Sequence, residues 1–132
     1  LAAEEFDSLM ELIEKLRKES GPILVEGKKD EASLRKLGIE VSIIPFRALK
    51  SGIETMVKSL GDRVILMTDF DRGGLKLSKM VESLLRPFGV KVDMYYWRKI
   101  RALTKGKLKD VEGLSSYMES LRIAAGRAAG RF

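Results

Sequence analysis

What most constrains the fold of this chain is an alternation of short apolar runs with amphipathic stretches. "ILV" at 23–25, "VSII" at 41–44, "VILMT" at 64–68 and "VKVDMYYW" at 90–97 are rich in β-branched and aromatic residues and too brief for buried helices, so each reads as a strand. The segments between them carry the helical period. Asp30 is placed to cap a helix over 31–37 that Gly38 stops. Ile53, Met56, Val57 and Leu60 share one face of a helix closed by Gly61, and Leu77, Val81, Leu84 and Leu85 form the inward face of another, ended by "PFG" at 87–89. Strands that alternate with helices join by crossovers, which make neighbours parallel. The expected class is therefore α/β, with a sheet of about four mainly parallel strands flanked by helices.

Helices are expected at both ends as well. Phe6, Leu9, Met10, Ile13 and Leu16 recur at helical spacing until "SGP" at 20–22 interrupts them, and their stripe is either core or a partner surface. After Trp97 come a basic stretch, a Lys/Gly turn at "TKGK", a helix over about 110–123, and the tail "AAGRAAGRF". The chain thus divides into an N-terminal amphipathic helix (1–21), an α/β domain (22–97) and a basic C-terminal extension with one helix and a flexible tail (98–132). No apolar run reaches the roughly 18 residues of a membrane span, and the N-terminal stretch is acidic rather than signal-like, so a cytoplasmic protein is expected.

Composition removes whole classes of chemistry. The 132 residues include no Cys and no His, and no Asn or Gln either. No zinc site of the Cys/His kind, thiol nucleophile, imidazole base or disulfide can be built, so proton transfer or metal binding must come from carboxylates, lysines, hydroxyls or backbone. Hard oxygen ligands suit Mg²⁺ or Mn²⁺. A chain that is 33% charged and lacks the thermolabile Asn, Gln and Cys also has the composition of a thermophile protein.

The net charge of +6 is unevenly placed. Residues 1–97 hold 16 Lys/Arg against 16 Asp/Glu, whereas residues 98–132 hold nine against three. A basic segment joined to a balanced domain is a footprint of polyphosphate binding, and its bland alternative is a solvated tail. Arg98, Lys99, Arg101, Lys105 and Lys107 are its first five cations, and Arg127 and Arg131 sit in a Gly/Ala tail that would order on an anion. Tyr95, Tyr96 and Trp97 could stack bases or close a core edge.

In a parallel sheet the C-terminal strand ends line one edge, where open α/β folds keep their sites. The first strand leaves that edge through "VEGKKD" and the third through "TDFDRGG". If the two are neighbours at about 4.8 Å, Glu26, Asp69 and Asp71 converge there. Mutual repulsion should raise at least one pKa until a divalent cation arrives, and the cation would leave positions open for phosphate oxygens. Lys28, Lys29, Arg47 and Arg72 are placed to neutralise a phosphate backbone, and Gly27, Gly73 and Gly74 let the main chain approach a ligand. The alternative is that Asp69 caps the next helix and Asp71 is solvated.

Glu-Gly after the first strand, followed by Asp-x-Asp-x-x-Gly after the third, resembles the Toprim domain of topoisomerases, bacterial primases, recombination mediator proteins, overcoming-lysogenization-type nucleases and the ribonucleases that mature 5S ribosomal RNA. The resemblance spans residues 22–97. It implies that Asp69 and Asp71 hold Mg²⁺, that Glu26 is a metal ligand or a general acid/base, that Gly74 is the motif glycine, and that Lys28 is the basic residue beside the glutamate in the small nucleases. Phe70 stands where many members have Pro, and Gly73 where topoisomerases carry a third acid. The further domains of topoisomerases, primases and recombination mediators do not fit in this length. The expectation is a metal-dependent phosphodiester-acting protein, a nuclease of structured, ribosomal RNA. The rival from another class is a non-catalytic RNA-binding or ribosome-associated protein.

Overall fold

A computed structural model describes residues 1–129, with side chains as far as Arg127; Arg131 and the end of the tail lie outside the described residues. Four strands, β1 (Ile23–Val25), β2 (Ile43–Pro45), β3 (Arg63–Met67) and β4 (Lys91–Asp93), form a sheet of order β2-β1-β3-β4 in which every pair is parallel. In register, Val25 stands opposite Pro45 on one side and Met67 on the other. The chain leaves β1 toward β2 and returns across it to β3, so the strand order reverses between β1 and β3. That is the switch point at which open sheets form a crevice.

Among the described residues seven α-helices surround the sheet: α1 (Ala2–Arg17), α2 (Lys28–Lys36), α3 (Phe46–Ser51), α4 (Ile53–Leu60), α5 (Arg72–Leu85), α6 (Tyr95–Thr104) and α7 (Leu114–Ala129). α1 buries Leu9, Leu12, Ile13 and Leu16 and packs against α6 and α7, while α6 also rests on β3. The residues after Trp97 belong to this core: Ile100, Leu108, Val111, Leu114 and Met118 are buried in the same cluster as the strands. Met10 is only partly buried against it.

Several expected boundaries move, each for a local reason. α2 begins at Lys28 because Gly27 is its cap residue, and the Asp30 carboxylate reaches back to accept the Gly27 N–H at 3.0 Å, so Asp30 lies in the first turn instead of capping the helix. β4 stops at Asp93, whose carboxylate accepts the Tyr95 N–H at 2.8 Å and turns the chain into α6; "YYW" is therefore helical. α7 starts at Leu114 because Asp110 closes a turn on the Gly113 N–H at 2.7 Å, and it continues through Ala129, well beyond 123. α3 has no counterpart in the periodicity, being a six-residue turn that follows Pro45. In α5 the buried seam is Gly74, Ser78, Val81 and Leu85, which leaves Leu84, about 100° around from Leu85, exposed. No helix among the described residues is long and apolar enough to cross a membrane.

Candidate functional site

β1 and β3 deliver their next residues to the crevice at the switch point. Glu26 comes directly after β1, and Asp69 comes after β3 and the buried Thr68. The Asp69 N–H donates to Glu26 Oε2 at 2.9 Å, the Val111 N–H donates to Asp69 Oδ1 at 3.2 Å, and the Trp97 indole N–H donates to the Asp69 carbonyl at 3.1 Å. Phe70 N–H donates to the Lys109 carbonyl at 2.8 Å, so the segment before α7 folds across the strand end. Asp71 is the cap of α5, accepting the Gly74 N–H at 2.8 Å. The cap role thus falls to Asp71, and Asp69 is the half-buried member of the pair.

Gly74 serves this arrangement sterically. A Cβ built there would lie 1.8 Å from the Asp69 carbonyl oxygen, and the Gly74 carbonyl accepts the Thr68 hydroxyl at 2.9 Å. Its contribution is therefore to let α5 start against the Asp69 main chain, and it is buried away from any incoming phosphate.

Burial, and then repulsion from Glu26, Asp110 and Asp71, pushes the Asp69 carboxyl up to about 6 against the pull of the Val111 N–H. Burial likewise raises Asp30, with repulsion from Asp69 and Glu112 adding to it. The three expected carboxylates do not meet at one point: among the described residues no group of three acidic side chains converges as a metal cage. The reason is that Glu26 is drawn onto the Asp69 amide and Asp71 onto the Gly74 amide. The second oxygens, Glu26 Oε1, Asp69 Oδ2 and Asp71 Oδ2, accept no hydrogen bond among the described residues, and no buried side-chain oxygen there lacks a partner, so they face solvent. Such a donor set suits Mg²⁺ or Mn²⁺ held by one or two carboxylates with several waters, and the repulsion on Asp69 is what a cation would relieve.

The basic residues fall into separate groups. Lys28 and Lys29 are exposed in the first turn of α2, with Lys29 Nζ 3.9 Å from Glu112; Arg72 is exposed at the start of α5 and Arg47 on α3. Arg98, Arg101 and Lys105 line a cleft beside Trp97. Lys99 lies over the Tyr95 ring from one side of α6, and Lys107 is 3.2 Å from Glu5 of α1. Tyr96 and Trp97 are buried, which makes them core, and only Tyr95 is exposed.

The chain is 36% identical to a UPF0292 protein of Thermococcus gammatolerans over 92% of each chain. It is 39% identical to one of Methanocaldococcus jannaschii, over 87% of this chain and 93% of that one. The chain belongs to the UPF0292 family. No family model matches it. A solved structure of a protein from Aquifex aeolicus is similar, with a TM-score of 0.66 and 29% identity over 79% of this chain and 95% of that one.

In this UPF0292 chain, sequence reasoning missed Asp110 and Glu112. Two of the three acids in the basic extension thus lie at the carboxylate edge, where they act on Asp69 and Asp30. The only signal was that both flank Val111, an apolar residue in an otherwise charged run, which is fully buried and whose N–H ties the segment to Asp69.

Proposed function

We propose that the switch-point edge is a divalent-cation site that acts on phosphodiesters, as the Toprim resemblance implies, and that the protein is a nuclease of structured RNA. The observation that carries this reading is Asp69: a half-buried carboxylate set among Glu26, Asp71 and Asp110, with a proton affinity raised to about 6 and no ion-paired cation among the described residues. Beyond the Val111 N–H that it accepts, such a group costs the fold stability when ionised, and a bound Mg²⁺ would relieve that cost. One or two of Glu26, Asp69 and Asp71 would hold the ion, which would polarise a phosphate oxygen or a water. Glu26, one hydrogen bond from Asp69, is the group to move a proton at the scissile phosphate. The cations at Lys28, Arg72, Arg98 and Arg101 offset the charge of the RNA.

The binding-only reading is supported by the structural work that Glu26 and Asp71 already do as acceptors of backbone N–H groups. One experiment separates the two. RNA is recovered by crosslinking in cells and assayed with Mn²⁺. Glu26→Gln, which keeps an oxygen for the Asp69 N–H, is expected to bind that RNA and to lose about 10² to 10⁴ in cleavage rate. A wild type that leaves the recovered RNA intact hands the case to the binding protein.

A further inference from the structure

The cations of α6 and of the turn that follows it are divided by the fold into groups with different surroundings. Lys107 is paired with Glu5, and Lys99 lies with Lys15 around the Tyr95 ring. Arg98, Arg101 and Lys105 instead line, with Trp97, Ala102 and Gly106, a cleft of about 450 Å³ on another face of the helix. None of these three forms an ion pair among the described residues. Cations in the last turn of a helix stabilise its negative end, which accounts for Lys105 and Arg101. Arg98 is in the amino-terminal half of α6, where that field is of no help.

Three further features make the cleft suited to an anion. The Arg101 guanidinium lies 5.5 Å from the centre of the Trp97 ring, so its donors are oriented before any ligand arrives. Lys105 is the one non-glycine among the described residues with positive φ, at 52°, in a position that ordinarily favours glycine. Arg98 and Arg101, at i and i+3 of α6, stand about 5–6 Å apart, and Lys105 follows just past the end of the helix, a run that suits consecutive phosphates of one strand. Trp97 also ties the cleft to the carboxylate edge, since its indole N–H holds the Asp69 carbonyl.

We propose that the α6 cleft is a phosphate subsite that holds the flanking backbone of an RNA strand whose reacting phosphodiester lies at Asp69. This rests on the carboxylate edge being a phosphodiester-acting site. Lys99 and Lys107 do not belong to the subsite, so cations equal in charge differ in effect.

The test is fluorescence anisotropy of a labelled oligouridylate over a range of salt, with Mg²⁺ present. Replacing Arg98, Arg101 and Lys105 by Ala is expected to weaken binding by about tenfold or more at low salt. It should also flatten the slope of log K against log salt by about two units, near 0.7 per lost contact. The Lys99→Ala/Lys107→Ala pair is expected to bind within about twofold of the parent. Arg98→Glu/Lys105→Glu, which spares the Arg101 stack on Trp97, should reproduce the triple variant, so a defect in folding is not mistaken for loss of contacts. Parental affinity and slope in both cleft variants would overturn the subsite, as would a loss in the control pair equal to that in the triple. Mn²⁺ calorimetry keeps the two readings apart. Strand binding that depends on the cleft, in a protein that takes up no Mn²⁺ and cuts nothing, upholds the subsite and removes the catalytic edge.

Discussion

Two groups of carboxylates at opposite ends of β3 live under opposite conditions. At its start, Glu19 and Asp93 both hold Arg63, Glu19 at 3.2 Å and Asp93 in a close ion pair, and the Tyr96 hydroxyl donates to Glu19 at 2.6 Å. The Arg63 guanidinium, helped by Tyr96, keeps the Glu19 carboxyl below its ordinary range. At the other end, Glu26, Asp69 and Asp71 form no ion pair among the described residues, and Asp69 is pushed up to about 6. The same strand thus carries a compensated cluster and an uncompensated one. The chain supplies a cation to partly buried acids where they hold β3 to β4 and to the segment after α1. Leaving the second group without one costs stability, and that is the reason to assign it a ligand from outside.

The largest effect that tests this contrast is at Arg63. Arg63→Met leaves Glu19, Asp93 and the Tyr96 hydroxyl around an uncharged side chain. Breaking a fully buried pair costs about 3–5 kcal/mol, but Arg63 keeps 35% of its side chain exposed, so a loss of about 2 kcal/mol at pH 7 is expected. Urea denaturation measures it. A loss within the few tenths of a surface pair would make the first cluster ordinary and dissolve the comparison.

The next effect is at Asp69 and has the opposite sign. Folding raises this carboxyl from 3.8 to about 6, so the folded state binds the proton more tightly. Its penalty is absent below pH about 4, grows as the pH rises toward 6, and is complete above that. Asp30 is raised too and acts in the same direction. Glu19 is lowered, so its contribution is present above its ordinary 4.5 and is lost as the pH falls through the folded value. With chelator present, Asp69→Asn, which keeps an acceptor for the Val111 N–H, should exceed the wild type by on the order of 2 kcal/mol at pH 8 and match it at pH 4. Unfolding midpoints across that range check it, and a gap that does not change with pH would mean that Asp69 is not the uncompensated acid of the pair of clusters.

Those parts of the architecture that periodicity dictates were legible in the sequence, whereas those set by long-range closure were not. β1 and β3, the crossovers, and the delivery of Glu26 and Asp69 to neighbouring strand ends all stem from apolar runs of strand length separated by helical ones. The extent of β4 was overread because apolar aromatics continue past Asp93, and only the side-chain bond from Asp93 to the Tyr95 amide turns them into a helix. Asp110 and Glu112 were invisible as site residues, because nothing local announces that the Val111 amide closes on Asp69, 42 positions earlier. The cations of residues 98–107 looked like one set because charge along a sequence carries no face; once α6 is helical, Arg98 and Lys99 point to different surroundings.

The smallest effect decides to which of the two kinds of carboxylate Asp71 belongs. As the cap of α5 it has a structural task, like Glu19, yet it also stands in the field that raises Asp69. Asp71→Ala removes both roles and should cost about 1 kcal/mol for the lost cap. Asp71→Ser restores an oxygen for the Gly74 N–H without the charge, so stability should return to within a few tenths of a kcal/mol of the parent. Mn²⁺ affinity, measured by calorimetry on the same proteins, should not return with it if the carboxylate serves the ion. Full recovery of both in the serine variant would place Asp71 with the structural acids. The site would then shrink to Glu26 and Asp69, still within the one or two carboxylates that Mg²⁺ needs when substrate phosphates and water complete its shell.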